Sequence, residues 1–89
     1  ALYQNYPNPF NPVTTLRYDI PEDGLVNVTI YDMMGRGVKP LVNSLQTAGN
    51  STIQWNATNN QGQLVSAGVY LYQIQAREYI STKKMMLLK

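Results

Sequence analysis

The last third of the chain decides the fold, because residues 69 to 88 read VYLYQIQAREYISTKKMMLL. Its first eight residues alternate in the period of a β-strand, and apolar side chains occur on both of the faces that this period defines. A strand that is apolar on both faces is expected at the centre of a sheet or beneath a partner. Arg77 and Glu78 then predict a tight turn, and residues 79–88 predict the last strand of the domain.

Shorter alternating segments upstream predict five further strands, separated by turns rich in Gly, Pro and Asn. They lie near residues 13–20, 25–30, 38–42, 53–56 and 63–65. The turn at Pro21–Gly24 predicts a hairpin of the first two strands, and Pro40 predicts that the third lies at a sheet edge. About seven strands without an amphipathic helix predict an all-β fold, an immunoglobulin-like β-sandwich, with a small barrel as the alternative.

The first twelve residues differ from the rest, since they hold three of the five prolines. Proline fixes its own φ and favours extended geometry in the residue before it, so the segment predicts a stiff, extended lead-in. We expect the large side chains of Tyr6 and Phe10 to pin it against the domain. The chain therefore divides into a lead-in, residues 1–12, and a β-sandwich, residues 13–89.

The composition excludes several classes of function. The 89 residues have room for one core, and they include no Cys and no His. Disulfides, thiolate zinc sites, cysteine nucleophiles and the Ser–His–Asp triad are thus excluded, and no cofactor is indicated. The longest apolar run, Met85 to Leu88, is far too short to span a bilayer, and no export leader opens the sequence. We expect a non-catalytic module, a mature fragment or an internal one, with no transmembrane segment.

Charge is sparse and unevenly placed along the chain. The net charge is +2, and 13% of the residues are charged. A nucleic-acid-binding surface usually carries a dense basic stripe with aromatic residues between the cations, whereas Lys83, Lys84 and Lys89 bracket four apolar residues. We therefore predict no nucleic-acid partner. The acidic cluster within Asp19–Asp23 is predicted to be a hydrated turn instead of a catalytic pair.

The aromatic residues admit two interpretations. Trp55, Tyr70 and Tyr72 would form a sugar-stacking platform if they were exposed, but aromatic residues of a small sandwich more often form its core, because each buries a large area. Burial is the favoured interpretation. The alternative function that follows from stacking is an accessory structural or carbohydrate-binding module of a secreted polysaccharide-degrading enzyme.

The segment Lys83–Lys89 places four apolar residues between cations at the very end of the last strand. In one interpretation this strand is central or lies between the sheets, and its neighbours bury it. In the other it is an exposed recognition strand that docks a partner by addition to its edge. The composition leaves both interpretations open, and it also leaves self-association through this strand open.

Four motifs follow one another along the chain. They are Tyr6–Pro12 (YPNPFNP), Ile30–Arg36 (IYDMMGR), Gly68–Ile74 (GVYLYQI) and Lys83–Lys89 (KKMMLLK). In this combination the chain resembles the C-terminal sorting domain of the type IX secretion system of Bacteroidetes and their relatives, over nearly its whole length. It is also similar, more weakly and in fold alone, to the immunoglobulin-like module of the flagellar hook-capping protein.

The resemblance implies a role as an address label at the end of a larger secreted protein. The N-terminal cargo domains of the same chain would enter the periplasm first, and the outer-membrane type IX translocon would then recognise the folded sorting domain. In many members a sortase-like protease removes the domain and attaches the cargo to the surface. Here the cut would fall upstream of Tyr6, near or before Ala1. The implied location is secreted or cell-surface, by way of the periplasm.

Matching positions assign translocon recognition to the terminal strand and to the start of its partner strand. The residues are Gly68, Val69, Tyr70, Lys83, Lys84, Met85, Met86, Leu87, Leu88 and Lys89. The chain departs from the family pattern at Ala76–Glu78, where a glycine-containing turn is common, and at Trp55–Thr58, where Trp-Asp-Gly is common. We expect the apolar side chains and the strand edge to dock the receptor, while the lysines set the register.

Overall fold

The computed structural model of the protein describes residues 1–88, which form six β-strands in two antiparallel sheets and no helix. The strands are β1 (Thr14–Ile20), β2 (Gly24–Asp32), β3 (Gly37–Gln46), β4 (Gly49–Trp55), β5 (Gly68–Ala76) and β6 (Tyr79–Leu87). The predicted all-β sandwich is confirmed, with six strands in place of about seven.

The larger sheet has the strand order β3-β2-β5-β6. β5 lies inside it, between β2 and β6, as its two apolar faces predict. Arg77 and Glu78 form the turn of the β5–β6 hairpin, with Arg77 in the left-handed region at a φ of 55°. β3 lies at an edge of the sheet and pairs with β2 alone. An edge strand tolerates Pro40 because its outer side has no neighbouring strand that would need a hydrogen bond from the missing N–H. The prediction for Pro40 is thus confirmed.

The smaller sheet pairs β1 with β4, from Thr14 opposite Trp55 to Ile20 opposite Gly49. The predicted hairpin of the first two strands is therefore wrong, because the chain crosses from one sheet to the other at Pro21–Asp23. β1 and β2 each have one largely apolar, buried face. When β1 and β2 belong to different sheets, stacking the sheets lets these two faces bury each other. If the two strands lay side by side in one sheet, both faces would be on the same side and would still need a covering layer.

The predicted strand at residues 63–65 is also wrong. This segment makes one antiparallel bridge, between Leu64 and Thr58. Asn59 explains the irregular backbone, because its Oδ1 accepts the N–H groups of Gln61 and Gln63, each at 3.0 Å. Hydrogen bonds from a side chain to nearby backbone compete with the ladder that a strand needs.

The core lies between the two sheets and receives side chains from the lead-in as well. Its buried members are Leu2, Phe10, Leu16, Tyr18, Ile20, Val26, Val28, Ile30, Trp55, Ala57, Tyr70, Tyr72, Ile74, Met85 and Leu87. Trp55 lies between two other rings, with centroid distances of 5.9 Å to Phe10 and 5.4 Å to Tyr70. This aromatic cluster joins the lead-in to both sheets.

The lead-in runs first along β1 and then along β6. Two bridges tie its first six residues to β1, one of them between Tyr6 and Thr15. Phe10 bridges to Leu87 and is buried, as predicted. The expectation that Tyr6 pins the segment is wrong, since its side chain is 77% exposed. The backbone of Tyr6 makes the bridge, and the side chain that pins this part of the segment is Leu2.

The strands give the molecule two ends, roughly 30 Å apart along the nine residues of β6. The N-terminal pole contains Ala1, the β1–β2 turn and the turn of the β5–β6 hairpin. The C-terminal pole contains the β2–β3 turn, the start of β5 and Leu88.

Candidate recognition site at the C-terminal strand

The structure brings the two predicted recognition segments together at the C-terminal pole. Gly68 lies opposite Leu87, Val69 opposite Met86 and Tyr70 opposite Met85 in the β5–β6 ladder. β6 is an edge strand, so the interpretation that it is central within the sheet is wrong. The hairpin explains the arrangement, because its short turn places the end of β6 beside the start of β5.

The apolar residues of the terminal segment do not act as one group. Met85 and Leu87 point between the sheets and are 1% and 5% exposed, whereas Met86 and Leu88 point outward and are 42% and 48% exposed. The period of two in a strand causes this division. Only the outward pair is accessible to a receptor.

Tyr70 belongs to the core half of the predicted set. Its side chain is buried, its ring meets Trp55 edge to face at 5.4 Å, and its hydroxyl donates to the carbonyl of Ser66 at 2.6 Å. Gly68, at a φ of 145°, begins β5 in a conformation that L side chains rarely adopt. Val69 is half-buried on the outer face beside Met86.

The cations of the segment are unevenly exposed. Lys84 is exposed and Lys83 is half-buried, and within residues 1–88 neither makes a salt bridge. The predicted Lys89 lies outside the described residues. An exposed cation without a carboxylate beside it remains available to an acidic partner.

The lead-in covers the outer edge of β6 at the C-terminal pole, which sequence reasoning missed. Phe10 donates its N–H to the Met86 carbonyl at 3.0 Å and accepts the N–H of Leu88 at 2.8 Å. The Met86 N–H in turn donates to Asn8 Oδ1 at 3.0 Å, and the Gln4 amide donates to the Lys84 carbonyl at 2.8 Å. The last residues of β6 therefore have hydrogen-bond partners on both sides.

The other half of the same edge is open. In an antiparallel strand, every second residue directs its backbone N–H and C=O groups to the same edge. The backbone groups of Ile80 and Thr82 therefore point to the outer edge of β6, as those of Met86 do. The N–H and C=O groups of Ile80 and Thr82 meet no partner among residues 1–88. The open edge is therefore the stretch from Ile80 to Thr82, because the Lys84 carbonyl already accepts the Gln4 amide.

A buried polar network holds the lead-in against the sandwich. Asn5 is 2% exposed, and its side-chain amide donates to Thr14 Oγ1 at 2.9 Å. The Tyr72 hydroxyl accepts the Asn5 N–H and donates to the Tyr3 carbonyl, both at 2.8 Å. Burial raises the pKa of Tyr72, and the Asn5 N–H partly offsets the rise. The phenol thus stays neutral and can serve both partners.

The aromatic residues form core and not a sugar platform. Trp55, Tyr70 and Tyr72 are 1%, 7% and 0% exposed. The Trp55 indole N–H is also engaged, since it donates to the Thr58 carbonyl at 2.9 Å. Burial is confirmed, and with no ring face available the stacking interpretation is wrong.

Comparison with known protein families gives a match over almost the whole chain. Residues 4–88 match the family described as the secretion system C-terminal sorting domain. The chain belongs to this family. The resemblance seen in the four motifs is thereby confirmed, and so are the two predictions that the domain is a type IX secretion signal and that it is not an enzyme.

Solved structures share the fold of this sorting domain. Dimeric latent PorU from Porphyromonas gingivalis is 25% identical with a TM-score of 0.76, and the match covers 98% of the sorting domain but 9% of that chain. PorZ, an essential surface component of the type IX secretion system of the same bacterium, is 22% identical with a TM-score of 0.64, over 99% and 11% of the two chains. FlgD from P. aeruginosa is 22% identical with a TM-score of 0.65, over 83% and 57%.

The sorting domain thus spans about a tenth of the PorU and PorZ chains. The structure of FlgD from Xanthomonas campestris is described in connection with hook capping in flagellar assembly, so the fold likeness to FlgD agrees with the weaker resemblance to a hook-capping module. No curated protein matches the chain.

Membership in the family places the domain in export to the cell surface or beyond. Nothing in residues 1–88 forms a helix with the length and apolarity that crossing a membrane requires. The same residues contain no cluster of three or more Asp and Glu side chains that could hold a metal ion.

Proposed function

We propose that the outer-membrane type IX translocon reads this sorting domain at the C-terminal pole, through the outer side of the β5–β6 pair. The observation that carries the proposal is that two motif segments distant in sequence lie side by side there, with Lys84, Met86 and Leu88 exposed. Apolar anchors beside a cation offer a receptor both shape and charge. The complementary surface would be apolar, with a carboxylate opposite Lys84.

The ten candidate residues have two roles in this proposal. Lys84, Met86 and Leu88 contact the receptor, and Lys89, which lies outside the described residues, is assigned to the same contact by its place in the KKMMLLK motif alone. The others position these side chains by anchoring or shaping the two strands, and they are Gly68, Val69, Tyr70, Lys83, Met85 and Leu87. Rigid strands suit recognition because little conformational entropy is lost on docking.

A groove of about 380 Å³ lies beside this surface. Asn8 and Pro9 of the lead-in form one wall, and Val69, Lys84 and Met86 line the other. Because the lead-in shapes the groove, we include residues 1–12 in the recognition module, with residues 13–89 as its sandwich.

The N-terminal cargo domains of the same chain are the second proposed partner. Ala1 lies at the N-terminal pole, where its carbonyl accepts the Asp19 N–H at 2.9 Å. Any preceding sequence would be joined to the domain at this pole, roughly 30 Å from Leu88. This suits a label that serves unrelated cargo. Entry through the periplasm, removal by a sortase-like protease near or before Ala1, and surface attachment complete the proposal.

The open edge from Ile80 to Thr82 can pair with a short strand, and we propose a second copy of the domain as its partner in solution. An antiparallel pair centred on Thr82 would place that residue opposite itself. Thr82→Lys would then set like charges against each other and lower the dimer fraction measured by light scattering. A monomer at all concentrations would rule out this pairing.

An export assay tests recognition at the C-terminal pole. A reporter with an N-terminal export signal is fused to the domain in a type IX-competent bacterium, as wild type, M86S/L88S or I80S. Ile80 is 56% exposed on the same outer face of β6, but it lies at the N-terminal pole, so I80S is the matched control. We expect wild type and I80S on the surface or in the medium, and M86S/L88S in the periplasm with about tenfold less export.

Thermal unfolding of the purified domains checks that each variant folds, since exposed substitutions change stability by only about 0.5 kcal/mol. Equal export of all three would remove the terminal strand as the surface that is read. Retention of the wild-type reporter in the periplasm would remove the proposed function itself.

A further inference from the structure

The β2–β3 turn at the C-terminal pole is held in one shape by Asp32. Its Oδ1 accepts the N–H groups of Met34 at 2.9 Å and Arg36 at 3.0 Å, and its Oδ2 accepts from Arg36 Nε at 2.9 Å. Two backbone hydrogen bonds of 3.0 Å close the turn. Gly35 supplies the left-handed residue, at a φ of 82°. The turn is therefore ordered before any partner binds.

This ordered turn presents two adjacent methionines to solvent. The side chains of Met33 and Met34 are 57% and 79% exposed. Covering them would remove apolar surface from water at little cost in backbone entropy, because the turn already has its shape. Methionine also adapts to irregular apolar pockets. The pair has the properties of a contact element.

Leu64 connects this turn with the terminal strand across the C-terminal pole. Its side chain is 73% exposed. It lines one cavity of about 300 Å³ with Leu88, and a second of about 760 Å³ with Asp32 and Arg36. Four exposed apolar side chains thus share the C-terminal pole: Met33 and Met34 of the turn, Leu64 of the loop after β4, and Leu88 after β6.

We propose that Met33 and Met34 insert into an uncharged apolar pocket of the same export receptor that contacts the terminal strand. The inference rests on the proposed function and adds a second contact to it. We infer an uncharged pocket because Arg36 forms a salt bridge with Asp32, so that the β2–β3 turn carries no net charge. Lys84 differs, since no carboxylate of residues 1–88 pairs with it, and the acidic group of the receptor belongs on that side.

A protein pocket fits the turn better than a lipid surface does. Anionic membranes attract peripheral proteins through free cations placed beside apolar groups. Of the two cations that follow the turn, Arg36 pairs with Asp32, and Lys39 Nζ is held away from the methionines by its hydrogen bond to Thr58 Oγ1 at 3.1 Å, although it keeps its charge. Two methionine side chains alone bury too little apolar area for stable membrane binding.

The test adds two variants to the export assay. M33S/M34S removes the proposed contact, and L45S is its matched control, because Leu45 is 80% exposed near the end of β3 at the N-terminal pole. We expect about tenfold less export for M33S/M34S and wild-type export for L45S. Purified M33S/M34S should unfold at the wild-type temperature, since the core is untouched.

The outcomes separate the two proposals. Wild-type export of M33S/M34S beside failure of M86S/L88S would overturn the second contact and leave the proposed function standing. Equal loss in L45S would also overturn it, since any exposed apolar residue would then have the same effect. Binding of the purified domain to phosphatidylglycerol vesicles that M33S/M34S abolishes would replace the pocket by a membrane. If the wild-type domain directs no export, the proposed function fails and the second contact with it.

Discussion

The outer edge of β6 is covered at one end and open at the other. At the C-terminal pole the lead-in bonds to Met86 and Leu88, whereas toward the N-terminal pole Ile80 and Thr82 have no backbone partner among residues 1–88. Strand addition needs unpaired backbone groups, so it is blocked at the covered end. A receptor at the C-terminal pole must therefore read side chains, and the expectation that the strand edge docks there is replaced by a side-chain contact.

The same comparison gives the lead-in a role that its composition hides. Its backbone and the side chain of Asn8 supply bonds that a neighbouring strand would otherwise provide. This protects the terminal strand from indiscriminate pairing while Met86 and Leu88 stay exposed. Variants that detach the lead-in should leave the edge of β6 near Met86 as unprotected as the edge near Ile80. The following variants weaken the lead-in contacts by decreasing amounts.

The largest effect is expected from Phe10→Ala. The side chain is 2% exposed and packs 5.9 Å from the Trp55 ring, so its loss leaves a cavity that costs about 3–5 kcal/mol. That is a large part of the stability of a small domain, about 5–15 kcal/mol. Urea denaturation measures the loss, with Tyr6→Ala as the exposed aromatic control in the same segment. Similar midpoints for the two variants would contradict the anchoring role of Phe10.

An intermediate effect is expected from Asn5→Ala. It removes the amide that donates to Thr14 Oγ1 and to the Pro7 carbonyl, so that Thr14 Oγ1 keeps only its own bond to Pro7, and losing these buried bonds costs about 1–3 kcal/mol. The exposed Asn11→Ala is the control, and both are compared by thermal unfolding. A shift no larger than that of Asn11→Ala would mean that the network does not hold the lead-in.

A smaller and more local effect is expected from Asn8→Ala, which removes the partner of the Met86 N–H and costs about 0.5–1.5 kcal/mol. Amide hydrogen exchange reads it directly. In the wild-type monomer, at concentrations too low for the proposed dimer, the Ile80 and Thr82 amides should exchange quickly and those of Met86 and Leu88 slowly. Asn8→Ala should accelerate Met86 with little change at Ile80. Slow exchange at both ends of the strand at this low concentration would show that the edge is covered in the monomer as well.

The alternation of side chains along the sequence predicted β5 and β6, because the period of two that marks a strand is visible within each segment alone. It could not predict the partner of β1, since a period of two reveals which face is apolar and not which strand lies alongside. The turn at Pro21–Gly24 favoured the nearest partner, and the stacking of two apolar faces overrode it.

The candidate site was predictable to a similar degree. The motifs identified both segments, but the run of apolar residues from Met85 to Leu88 concealed that alternate members face the core. The cover was not predictable, because Asn8 and Gln4 bond to backbone groups 78 and 80 positions away and carry no periodic signal. Asn5 likewise acts through a buried network that composition does not reveal.

The smallest effect concerns the β2–β3 turn, which like the covered end of β6 is ordered by hydrogen bonds within the chain. The hydrogen bond that the Arg36 backbone N–H donates to the Asp32 carboxylate holds its pKa below the ordinary value of about 3.9. A carboxyl with a lowered pKa in the folded state stabilises the domain above its unfolded pKa, and the contribution is lost as pH falls through the folded value. Wild type should therefore exceed Asp32→Asn in urea midpoint at pH 6, with the gap closing toward pH 2. A gap independent of pH would mean that the carboxylate does not organise the turn, and the ordered presentation of Met33 and Met34 would lose its physical basis.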